Sequence, residues 1–167
     1  MKMKFDYEKY ESKMLKKYDG NHAKRARGYY FPIKMLIKDI ISDIEKYMSN
    51  DIDLRDTAIA YFKKINKSLS PILEDMKKDK WFEEWYDVCN IYTSAKDMLN
   101  KTVYSDIMYI SMLPGMSYKL NLLHDWLINA EYFANEAYTK HVIEHNININ
   151  FRMMNISADR KSKEGCK

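Results

Sequence analysis

Apolar and aromatic side chains recur at steps of three and four residues along most of this chain, the spacing of one face of an α-helix. Tyr7, Tyr10, Met14 and Tyr18 form a first stripe, which Asp19-Gly20 would end. Behind Pro32, a residue suited to a first helical turn, Ile33, Leu36, Ile37, Ile40, Ile41, Ile44 and Tyr47 mark a strongly amphipathic helix. Residues 49–53 offer several N-caps for a helix carrying Leu54, Ala58, Tyr61, Phe62, Ile65 and Leu69 on one face. Ser70-Pro71 reads as the cap and first position of a further short helix with Ile72, Leu73 and Met76. Trp81, Trp85, Val88, Tyr92, Ala95 and Leu99 trace the next stripe.

Residues 101–112 mix β-branched and aromatic side chains, which suit a strand, with a helical spacing; their helical surroundings favour helix. Leu113-Pro114-Gly115 is a turn, and Ser117 can cap a last helix running to about Asn146. Its stripe of Leu120, Leu123, Leu127, Ala130, Ala134 and Ala137 narrows to alanine, which lets a neighbouring helix come close. Residues 147–153, ININFRM, alternate as a strand does, and a lone strand would offer its edge to a second copy or a partner's sheet. The pattern therefore predicts an all-α bundle of about five or six helices. A short strand-like extension follows within a single domain over residues 1–155, and residues 156–167 form a mobile polar tail.

Composition supports that picture. With 46% hydrophobic and 31% charged residues in 167, the chain can bury one real core, and its four Gly and three Pro leave few breaks in long helices. No run approaches the roughly 18 apolar residues of a membrane span, and the N-terminal segment lacks the apolar stretch of a secretion signal. A cytoplasmic protein is expected. Cys89, in a helical pattern, and Cys166, in the polar tail, give no disulfide framework. The wealth of Lys, Asn, Ile and Tyr suggests an AT-rich coding sequence, as in a phage or a low-GC bacterium. Residues 1–38 hold eleven Lys and Arg against four Asp and Glu, so the positive field of a chain with net charge +4 lies at its N-terminal side.

Three constellations could carry chemistry. NHAKRARGYYF, residues 21–31, reads as a basic connection in which Lys24, Arg25 and Arg27 can neutralise phosphates and Tyr29 and Tyr30, with Phe31, offer faces for unpaired bases. Its structural counterpart is a solvated loop whose aromatics fix the entry of the next helix.

HVIEH, residues 141–145, resembles the His-x-x-Glu-His motif of the inverted zinc peptidases, in which two histidines a helical turn apart hold zinc. That resemblance implies a third, acidic ligand far downstream and a larger α/β domain. Only Asp159 and Glu164 follow His145, and His124 lies about 25 Å before His141 on a continuous helix. His141 and His145 therefore fit a helix end better than a metal site. Glu83, Glu84 and Asp87 resemble the first half of the acidic Mg²⁺ motif of the all-helical nucleotide pyrophosphatases, whose second Glu-x-x-Asp pair has no counterpart here.

The reading is a small non-enzymatic binding protein without cofactor, meeting nucleic acid or a nucleic-acid-processing complex through its basic N-terminal region. A homodimer is compatible with it, and no membrane is involved. The alternative is an inhibitor or adaptor acting on another protein through a Met/Tyr-rich surface. A metal-dependent hydrolase ranks third.

Overall fold

The computed structural model describes residues 4–76, 85–103 and 107–164. Six α-helices follow in order: α1 (Tyr7–Lys17), α2 (His22–Gly28), α3 (Tyr30–Tyr47), α4 (Ile52–Met76), α5 (Trp85–Val103) and α6 (Met116–Glu164). A 3-10 turn over Met108–Met112 precedes α6, and the described residues contain no strand. The all-α expectation holds.

The four long helices close a ring, with α3 against α4, α4 against α5, α5 against α6 and α6 back against α3. Each contributes the stripe its sequence announced. Ile33, Ile37, Ile40 and Ile44 of α3 meet Phe62, Ile65 and Leu69 of α4 in one core with Trp85 and Tyr92 of α5 and Leu123 and Leu127 of α6. Helices α5 and α6 run antiparallel, since Thr93 and Lys96 both reach Glu131 while Asn100 and Val103 face residues 117–124. Ion pairs Lys96–Glu131 and Lys119–Asp43 fasten α6 to α5 and to α3.

Three expectations need correction. The stretch 21–31 is not a loop connection. It forms α2, capped by the Asn21 side chain, which accepts from Lys24 N at 3.0 Å, and runs into the start of α3. Ser70-Pro71 does not open a new helix either, because α4 runs through Pro71. Ile65, Leu69 and Ile72 keep one buried face across that point, and this continuity outweighs the hydrogen bond a proline removes.

Residues 101–112 divide between the end of α5 and the 3-10 turn, while 104–106 lie outside the described residues. Finally, 147–153 are helical, as is the rest of α6 to Glu164, where the sequence suggested a strand and then a tail. The alternation had no second strand to pair with, and backbone groups without a ladder are satisfied by continuing the helix.

Helix α1 crosses α2 at Gly28, where an added Cβ would overlap the buried Met14 side chain. The Tyr10 hydroxyl donates to the Gly28 carbonyl at 3.0 Å at the same crossing. Helix propensity alone makes Gly28→Ala stabilising by about 1 kcal/mol. Overlap with Met14 reverses the sign, and we expect a loss of about 1–3 kcal/mol in urea unfolding. The Met14→Ala/Gly28→Ala double variant should then cost less than the sum of its parts.

Candidate nucleic-acid interface

The basic and aromatic residues of 21–31 are split between two faces. Helix α2 packs its inner face on α6, with Ala26 fully buried and its carbonyl accepting from the Tyr92 hydroxyl at 2.8 Å. Arg25 lies on this inner side. Its Nε donates to Tyr18 O at 3.1 Å, and its Nη2 donates to Leu15 O at 3.2 Å and pairs with Asp19 at 2.9 Å. Leu15 and Tyr18 offer carbonyls at the end of α1, so Arg25 satisfies acceptors that a helix terminus leaves open. Its guanidinium also lies over Phe133 of α6, 5.3 Å from the ring centre.

Tyr29 and Tyr30 are 1% and 3% exposed. Tyr29 packs edge-on against Trp126 and stacks on Phe133, and its hydroxyl donates to Glu11 at 2.6 Å. Burial first, and then that hydrogen bond, hold the Tyr29 phenol above its ordinary range. Arg25 therefore has a structural role through Nε and Nη2, and the Tyr29 and Tyr30 rings are covered, so the base stacking expected at these two tyrosines is corrected. Phe31 remains half exposed, beside Phe5 and Tyr10.

Lys24 is exposed and Arg27 half-buried on the outer side of α2. With Lys17, Tyr18 and Gly28 they line an open groove of about 460 Å³ between α1 and α2. Lys17 and Tyr18 were missed as partners of Lys24 and Arg27, though the excess of Lys before residue 38 signalled them. The Lys17 ammonium sits 5.2 Å from the Tyr18 ring centre. Lys9, Lys13 and Lys16 are exposed along α1 and extend the positive field at helical spacing.

The other candidates do not assemble comparable chemistry. His141 and His145 stack on one face of α6 with ring centres 6.1 Å apart. No three His, Cys, Asp or Glu side chains gather as a metal-ligand set among the described residues. His141 instead lines a cavity of about 210 Å³ with His22, Trp85, Lys140 and Glu144. Glu83 and Glu84 lie outside the described residues, and Asp87 is exposed in the first turn of α5. Burial, with the Glu131 charge adding to it, pushes the buried Cys89 thiol up to about 11, which removes its nucleophilic form at neutral pH. No helix among the described residues is long and apolar enough to cross a membrane.

No protein-family model, curated protein or solved structure matches the chain.

The raised Tyr29 makes its contribution depend on pH. A neutral phenol favoured in the fold stabilises fully below the ordinary tyrosine pKa of 10.0, and that stabilisation is lost as pH rises above it. Tyr29→Phe should cost about 1–3 kcal/mol at neutral pH by removing the bond to Glu11. The variant should also speed amide exchange in α1 and show a weaker loss of stability on alkaline titration than the parent.

Proposed function

We propose that this is a non-enzymatic protein that binds nucleic acid, free or within a nucleoprotein machine, through the cationic groove between α1 and α2. One observation carries the reading: Lys17, Lys24 and Arg27 converge from two helices on one groove, which no carboxylate lines among the described residues. Opposed cations of this kind attract a phosphate chain by releasing its counterions. Lys9, Lys13 and Lys16 lengthen the track for that chain. With Tyr29 and Tyr30 covered, affinity comes from the backbone rather than from stacked bases, and the reading is of weak sequence preference. A cytoplasmic site of action fits such a partner, host cytoplasm if the chain is phage-encoded.

A second reading is supported by a different surface. Met108 and Met112 in the 3-10 turn and Tyr118 at the start of α6 are 62%, 82% and 60% exposed. Flexible thioethers beside an aromatic ring suit an uneven protein surface, as in an inhibitor or adaptor.

Fluorescence anisotropy with labelled oligonucleotides separates the two readings. Binding through the groove should weaken steeply between low and moderate salt, and the Lys17→Glu/Lys24→Glu/Arg27→Glu variant should lose at least tenfold in affinity. Its salt slope should be shallower by about one per phosphate contact removed. Absence of binding at low salt, or binding indifferent to the triple reversal, would sink the groove reading and turn attention to Met108 and Met112.

A further inference from the structure

A second cavity, of about 250 Å³, lies between the C-terminal end of α5 and the first two turns of α6. Its floor is apolar, made by Leu99, Leu120 and Val103, the first two nearly or fully buried. Its described walls are polar: Asn100 from α5, Ser111 from the 3-10 turn, and Ser117, Asn121 and His124 from α6. Ser117, Asn121 and His124 stand at i, i+4 and i+7, so they follow one face of α6 over about 10 Å and confront Asn100 across the cavity.

The side chains of Asn100, Ser117 and Asn121 make no hydrogen bond to another described residue, in contrast to Thr102 nearby, whose hydroxyl donates to Met98 O at 2.8 Å. Asn100 is half-buried, while Ser117 and Asn121 are exposed at the mouth of the cavity, so two carboxamides and a hydroxyl stand on helices at the rim of an apolar floor with their hydrogen-bonding groups open to solvent or a ligand. We infer that this cavity binds a neutral, planar heterocycle with an amide-like edge, of the size of a nucleobase.

The chemistry of the lining selects that class. A carboxamide presents a donor and an acceptor side by side in one plane, which is the pattern along the edge of a purine or pyrimidine. The floor of Leu99, Val103 and Leu120 meets the face of a ring. Among the described residues no Lys, Arg, Asp or Glu lines the cavity, so these side chains offer a charged ligand no counter-charge. The volume falls below the roughly 300–1,000 Å³ of sites for larger organic ligands, which limits the occupant to one or two rings. The heterocycle can come from a free nucleoside or from an unpaired base of a strand. The inference does not depend on the groove between α1 and α2.

The test is a ¹H–¹⁵N titration of the whole protein with adenosine and with uridine, following the side-chain amide signals of Asn100 and Asn121. Those signals should shift to saturation with at least one nucleoside. Asn121→Leu should weaken binding at least tenfold, and Asn100→Leu/Asn121→Leu should abolish it while the far-ultraviolet spectrum is kept.

A second arm uses an unstructured hexanucleotide with the groove variant Lys17→Glu/Lys24→Glu/Arg27→Glu. Shifts at Asn100 and Asn121 with the hexanucleotide assign the base of a strand as a source, and shifts with the nucleosides alone assign the free molecule. Failure of every probe to move these signals overturns the inference, as does nucleoside binding that survives the double variant.

Discussion

The seat of α2 on α6 is the constraint on which the rest of the candidate interface depends. Seven residues are too few to form a helix in water, because nucleation costs more than so short a segment recovers. Helix α2 exists because its inner face is gripped. The Tyr92 hydroxyl reaches the Ala26 carbonyl across 66 residues of sequence, Ala26 is fully enclosed, and His22 and Arg25 both lie on the Phe133 ring. Ala137 of α6 stands beside His22 and Ala23 of α2, and its small side chain leaves room for the two helices to approach. With the inner face fixed in this way, Lys24 and Arg27 are left on the outer one.

The same seat divides labour among cations that look equivalent in the sequence. A guanidinium has five donors in a rigid fork and is weakly hydrated, so it can be drawn inside where carbonyls and an aromatic face await it. Arg25 meets those conditions through Tyr18 O, Leu15 O, Asp19 and Phe133, and thereby becomes the joint between α1 and α2. The lysine ammonium is compact and strongly hydrated, and Lys9, Lys13, Lys16, Lys17 and Lys24 stay half or fully in water. A surface made mostly of such point charges attracts phosphate without the planar geometry that distinguishes one base from another.

The helical stripes were legible because each had many residues voting for one period, and the burial of Ile33, Ile40, Phe62, Leu69, Tyr92 and Leu127 follows them directly. Two local signals were outvoted. Ser70-Pro71 has the chemistry of a helix start, but the apolar face running from Ile65 to Ile72 holds α4 continuous through it. The alternation at 147–153 has the chemistry of a strand, but pairing needs a second strand at the right distance, which no local pattern can provide.

The interface was legible in its charge and not in its aromatics. Basic residues announce themselves by composition, whereas whether Tyr29 faces solvent or Trp126 and Phe133 is decided by side chains about 100 positions away.

Helix α6 sets the distance between the two surfaces that carry chemistry. Helix α2 and its groove lie against the helix near Phe133, while the neutral cavity is built around Asn121, twelve residues earlier, about 18 Å along the axis. Between them Trp126 is buried against Tyr7, Tyr10 and Tyr29, so the aromatic residues of the N-terminal segment form a continuous packed layer from one site towards the other. The lysines of α1 and α2 stay in water at one end of this layer, while the described lining of the cavity carries carboxamides and hydroxyls in place of such charges.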